Sequence, residues 1–128
     1  MLFLPFLLLA QPADAETYDA LLRCAAFHTI EGERLERDGG AAPGDAQLAV
    51  AADFAATARA MLSDDNDANA VETDLGQRKA EYLETLASGE LRQTAEQWAA
   101  LELACKDLYP MLSAVSASGE SRQSLSCL

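Results

Sequence analysis

Apolar residues recur at intervals of three and four through most of this chain, and that spacing constrains the fold more than any single motif does. A helix brings residues three or four apart onto one face. The segment 45–63 shows the pattern most clearly, with apolar positions at Leu48, Ala51, Ala55, Ala58 and Leu62. No segment shows the sustained apolar and polar alternation that is typical of a strand. The sequence therefore predicts an all-α protein.

Glycine, proline and polar residues divide the pattern into four predicted helices, at about 17–38, 45–63, 68–87 and 90–109. Thr17 and Asp45 are the expected N-caps of the first two helices. Gly39 is expected to end the first helix, and 41–44 is predicted to be a loop. Short connections favour a small antiparallel four-helix bundle with up-down-up-down order. The alternative is three long helices with an irregular arm.

The first fifteen residues resemble an export signal. The run 2–10 is apolar, and Ala13-Asp14-Ala15 has the small-x-small form that precedes a cleavage site. The apolar run is much shorter than a bilayer requires, so no permanent membrane anchor is expected. The sequence thus predicts a signal peptide at 1–15, a helical bundle domain at 16–110 and a serine-rich tail at 111–128. We expect the mature protein to be periplasmic or secreted.

The net charge narrows the range of partners. The chain has 21 acidic and 9 basic residues, and removing 1–15 takes away only Asp14, so the net charge changes from −12 to −11. This balance argues against nucleic acid as a partner, because phosphates attract basic patches. It also argues against adsorption to anionic lipid. Solubility explains most of the acidity.

Three cysteines follow the predicted cleavage site, and thiols tend to pair in an oxidising compartment. In an antiparallel bundle the start of the first helix lies beside the end of the fourth. Cys24 and Cys105 lie at similar depths from those ends, so we predict a Cys24–Cys105 disulfide. Cys127 would then be free for an intermolecular disulfide.

Motifs for catalysis and for cofactor or metal binding are weak. Cys24 and His28 lie four residues apart and share a helix face, but two ligands are too few for a structural zinc site. Residues 65–69 begin like a calcium loop, yet Ala70 and Gly76 stand where that loop needs its glycine and its glutamate. There is one histidine and no phosphate-binding loop. We therefore predict no enzyme, no cofactor and no metal.

Two pairs of residues stand out on the third and fourth predicted helices. Arg78 and Glu102 lie within apolar stripes at similar distances from the Ser88-Gly89 turn, so they are candidates for an interhelical ion pair. The alternative places both at the stripe margin, with their charged groups in water. Tyr82 and Trp98 are candidates to line a pocket, or otherwise pack in the core.

Three functional hypotheses follow. The first is an exported binding or accessory module with an unknown protein partner. The second is a carrier of a small apolar ligand, because bundles with wide alanine-lined faces can enclose one. The third is an acid-stress holdase, whose carboxylates would be neutralised in acid and so loosen the bundle.

Overall fold

The computed structural model describes residues 3–62 and 69–115, with side chains from residue 15 onward. Its helices are α1 (Phe3–Arg37), α2 (Ala41–Met61), α3 (Ala70–Ser88) and α4 (Leu91–Leu108), followed by a 3₁₀ turn (Tyr109–Met111). No strand occurs in the described ranges. The predicted all-α class is confirmed, while the full up-down-up-down order stays a prediction. Residues 65–68 of the calcium-like segment and Cys127 lie outside the described residues.

The helix α1 is the centre of the fold, because most of the buried apolar side chains belong to it. From α1 these are Leu21, Leu22, Cys24, Ala25, Ala26, Phe27 and Ile30. The helix α2 adds Ala51, Phe54 and Ala58, whereas α3 adds Val71 and α4 adds Cys105. The core therefore lies mainly between α1 and α2, with α3 and α4 at its edge.

Two glycines let the backbones of α1 and α2 approach closely. A Cβ atom added at Gly44 would lie 2.5 Å from Glu36 Cγ and 2.9 Å from the Gly32 carbonyl oxygen. A Cβ added at Gly32 would lie 2.8 Å from Leu48 Cγ. No larger residue fits either position without displacing its neighbours. This contact fixes α1 and α2 as a tight hairpin.

The connection between α1 and α2 is a helix-ending motif that the sequence predicts. Gly39 has a φ of 91°, a conformation that glycine adopts without strain. Its backbone N–H donates to the Glu36 carbonyl, and the Gly40 N–H donates to the Leu35 carbonyl at 2.8 Å. This is the Schellman arrangement, and it confirms the predicted end of the first helix.

The start of α2 corrects a prediction. Residues 41–44 are helical rather than a loop, and Gly40 rather than Asp45 is the N-cap. Pro43 fits the first turn because the N–H that it lacks would have no partner within the helix there. The Gly44 N–H makes its hydrogen bond to the Gly40 carbonyl at 2.9 Å.

The beginning of the chain differs from expectation in one respect. The helix α1 passes through residues 15 and 16 without a break, so Thr17 lies inside the helix and is not an N-cap. Export and cleavage at that point remain predictions. No helix in the described ranges has an apolar stretch long enough to cross a bilayer.

The predicted disulfide is confirmed. Cys24 and Cys105 are bonded, their Cα atoms lie 5.4 Å apart, and both residues are buried. The bond joins the middle of α1 to the end of α4. Just beyond it, Leu112 is also buried, so the start of the predicted tail packs against the bundle.

Burial along α3 and α4 decreases towards the turn that connects them. Val71 is 1% exposed near the start of α3, whereas Leu86 near its end is 38% exposed. On α4, Cys105 is fully buried but Leu91 is 87% exposed, although the periodicity of the sequence places Leu91 on the buried face. Both helices are thus well packed at one end and open towards residues 88–90.

Candidate functional site

The open ends of α3 and α4 leave a groove against the last two turns of α1. We call it the Trp98 groove, and its volume is about 640 Å³. Five apolar and three charged residues line it: Ile30, Leu83, Leu86, Ala87 and Trp98, with Glu31, Arg34 and Arg37. The leucines of its α3 wall, Leu83 and Leu86, are partly exposed to solvent. A concave site with an apolar lining and few polar groups is typical of small-molecule binding.

Trp98 is held in place by three neighbours. Its indole Nε1 donates a hydrogen bond to Glu31 Oε1 at 2.9 Å. Its ring lies 4.7 Å from that of Phe27 on α1 and 5.7 Å, edge to face, from that of Tyr82 on α3. Aromatic pairs at these separations are attractive. One side chain therefore contacts both neighbouring helices and forms part of the groove wall.

Glu31 carries the negative charge within the groove. Partial burial acts to raise the pKa of this carboxyl, but hydrogen bonds from Arg34 and Trp98 and the charge of Arg34 outweigh burial, so the pKa is lowered. Arg34 also lies 3.6 Å from Asp38. Glu31 is thus ionised and satisfied by its neighbours.

A smaller cleft of about 180 Å³ continues the groove between α3 and α4. Tyr82 lines this cleft, and Leu86 and Trp98 line both spaces. The structure therefore brings the two predicted lining residues, Tyr82 and Trp98, together at a concave surface. Burial raises the pKa of Tyr82, which keeps its hydroxyl neutral.

Arg78 does not pair with Glu102, which corrects one of the sequence predictions. Arg78 donates to Asp19 on α1 and lies 3.2 Å from Glu81 on its own helix, whereas Glu102 is exposed on α4. The reason is that α3 packs more closely on α1 than on α4.

Two further contacts attach α3 to α1. The Tyr18 hydroxyl donates to Asp74 at 2.8 Å, and Lys79 donates to Glu33 at 2.7 Å. Burial and the bond to Asp74 raise the pKa of Tyr18 to about 12. The polar attachment of α3 is therefore to α1.

Two side chains of α2 hold the His28 ring in place. Its Nδ1 donates to Gln47 Oε1 on α2, and its ring stacks on Phe54 at a centroid distance of 5.6 Å. Its sequence neighbour Cys24 is bonded to Cys105 and so is not a thiolate. Among the described residues, no group of three or more His, Cys, Asp or Glu side chains is arranged to hold a metal.

The charged residues of the groove escaped the sequence analysis. Arg34 and Arg37 lie three residues apart near the end of α1, a spacing that puts both on one side of a helix. The sequence contained that signal, but it pointed to a site only once the end of α3 was known to lie opposite.

Comparison of the chain with protein-family models, with curated proteins and with solved structures finds no match.

Proposed function

We propose that this chain is an exported, non-catalytic binding module that carries a small apolar ligand in the Trp98 groove. The observation that carries the proposal is the combination of an open apolar groove and a tight scaffold beneath it. The volume of about 640 Å³ lies within the range of about 300–1,000 Å³ found for small-molecule sites. The Cys24–Cys105 bond supports the export component, because disulfides persist in oxidising compartments.

The groove has the properties that favour a preformed site. Its α1 wall belongs to the hairpin that Gly32 and Gly44 hold together, and Trp98 is fixed by Glu31, Phe27 and Tyr82. A site whose walls are already ordered spends little conformational entropy on binding. Leu83 and Leu86 then offer apolar surface that a ligand would remove from water.

Titration with a neutral apolar fluorophore, N-phenyl-1-naphthylamine, tests this proposal. The double variant Leu83→Gln/Leu86→Gln makes the α3 wall polar, and we expect it to weaken binding by about tenfold. The matched control is Leu91→Gln/Leu103→Gln, which changes two exposed leucines on α4 that do not line the groove. Circular dichroism checks that each variant folds.

Wild-type binding that the control retains and the groove variant loses supports the proposal. Failure of the wild-type protein to bind the fluorophore overturns it. Equal losses in the two double variants would also contradict it, since they would indicate unspecific adsorption to exposed leucines.

A second candidate function, an acid-stress holdase, is favoured by a separate observation. Four side-chain hydrogen bonds join α1 to α3 or α4 in the described part of the chain, and a carboxylate accepts each one: Asp74, Asp19, Glu33 and Glu31. Protonation of these acceptors would weaken the attachment of α3 and α4. The test is suppression of aggregation of a client protein at about pH 3, below the ordinary carboxyl pKa values. Absence of suppression there removes this candidate.

A further inference from the structure

Two arginines, Arg34 and Arg37, make one end of the Trp98 groove polar. Arg34 and Arg37 are both in the last turn of α1, and both line the groove. Arg34 is occupied by Glu31 at 2.7 Å and by Asp38 at 3.6 Å. Arg37 is exposed and forms no ion pair within residues 15–62 and 69–115. An unpaired guanidinium thus lies beside an apolar wall, in a chain whose net charge is −12.

We propose that the ligand is a single-chain amphiphile with a carboxylate head, a fatty-acid anion. This inference rests on the proposed function. The alkyl chain would lie along Leu83, Leu86 and Trp98, and Arg37 would bind the head. A guanidinium matches a carboxylate because two parallel N–H groups can donate to its two oxygens.

The other charged residues of the groove also favour an anionic head group over a cationic one. Glu31, the one acidic residue of the lining, already accepts hydrogen bonds from Trp98 and Arg34. Its lowered pKa reflects that satisfaction, so it has little capacity left for a cationic head. Arg37 has no such partner. An anionic head is therefore the complement of the available charge.

The size of the groove agrees with a medium-length chain. Ile30 and Arg37, which lie near its two ends along α1, are seven residues apart in the sequence, or about 10 Å along the helix. A ligand whose alkyl chain is about 10 Å long can keep its head group at Arg37 while its tail reaches Ile30 and Trp98.

Arg37 also has a structural role that the test must separate from binding. A positive charge in the last turn of a helix opposes the negative end of the helix dipole. That role predicts lower stability for Arg37→Gln but no change in the preference between head groups. Arg59 provides a matched control, because it is exposed and lies in the last turn of α2, away from the groove lining.

The experiment compares decanoate with decanol, which share an alkyl chain and differ in head group, by isothermal titration calorimetry. We expect wild-type protein to bind decanoate about tenfold more tightly than decanol, the effect of one charge-assisted hydrogen-bonding pair. Arg37→Gln should abolish this preference by weakening decanoate binding. Arg59→Gln should keep the preference.

Each contrary outcome has a distinct meaning. Equal binding of decanoate and decanol by the wild-type protein overturns the carboxylate head and leaves the proposed function standing. Failure of both ligands to bind, together with failure of the neutral fluorophore, overturns both proposals. Equal loss of decanoate preference in Arg37→Gln and Arg59→Gln contradicts a local role for Arg37, because net charge alone would then explain it.

Discussion

The α1–α2 hairpin and the α3–α4 pair are packed in different ways. A Cβ added at Gly44 between α1 and α2 would lie 2.9 Å from a backbone oxygen, whereas one added at Gly76 on α3 would meet nothing within 4 Å. The hairpin contributes ten of the thirteen buried apolar residues in the described ranges, while α3 and α4 contribute only Val71 and Cys105. Close packing makes the hairpin a rigid support, and the looser pair provides the open surface that the hairpin lacks.

The means of attachment differ as well. The helices α1 and α2 meet mainly through small and apolar side chains, with polar contacts at His28–Gln47 and Glu36–Asp45. By contrast, α3 is attached to α1 by Asp74, Arg78 and Lys79, and α4 by Trp98 and a disulfide. A helix held at a few points can diverge between them, and this divergence produces the Trp98 groove.

The largest predicted effect comes from removing the covalent attachment of α4. The variant Cys24→Ala/Cys105→Ala opens a loop with a sequence separation of 81 residues, for which chain entropy gives an upper limit of about 4.5 kcal/mol in the free energy of unfolding. Urea denaturation monitored by circular dichroism measures the loss. Cys127→Ala is the control and should leave stability nearly unchanged. A loss below about 1 kcal/mol in the double variant would show that α4 is held mainly by other contacts.

The second prediction contrasts one glycine from each region. Gly44→Ala should destabilise the protein by about 1–3 kcal/mol, because the added methyl group meets Glu36 and the Gly32 carbonyl. Gly76→Ala should stabilise it by about 0.5–1 kcal/mol, because alanine favours the helix and the position has open space. Both values come from urea denaturation. Shifts of the same sign would show that the two regions do not differ in packing.

The smallest effect concerns acid and the attachment of Trp98. The folded-state pKa of Glu31 is lowered, so its ionised form adds stability above the unfolded pKa of about 4.3, and this is lost as pH falls through the folded value. We expect a change of less than about 1 kcal/mol and a red shift of Trp98 fluorescence. Glu31→Gln should remove the pH dependence of that emission while keeping an acceptor for the indole.

Fluorescence is the appropriate measurement because global stability includes an opposing contribution. A hydrogen bond with Asp45 raises the pKa of Glu36, so this group favours the folded state below its unfolded pKa and loses that contribution as pH rises through the folded value. Trp98 is the only tryptophan in the sequence and lies beside Glu31. If the emission of the wild-type and Glu31→Gln proteins changes equally with pH, the proposed role of Glu31 is wrong.

The sequence predicts what depends on local signals. The spacing of apolar residues indicates the helices, and Gly39-Gly40 indicates the end of α1. Helix depth places Cys24 beside Cys105, because a helix has a fixed rise per residue. Tyr82 and Trp98 were candidates to line a pocket from sequence, and the structure brings their rings together.

Interactions that depend on how helices diverge escape such reasoning. Leu91 continues an apolar stripe, yet it is exposed because α4 leaves the core before reaching it. Arg78 pairs with Asp19 rather than Glu102 because α3 packs on a helix remote in sequence. The groove depends on both the divergence of α4 and the packing of α3 on α1. The sequence alone therefore did not indicate that Arg34, Arg37 and Leu83 share one site.

Amide hydrogen exchange measured by NMR, with and without decanoate, tests the central claim most directly. The account predicts the strongest protection in α1 and α2, weak protection at residues 83–98, and a gain in protection on adding decanoate that is confined to those residues and the end of α1. Uniform protection across the four helices, unchanged by decanoate, would contradict it.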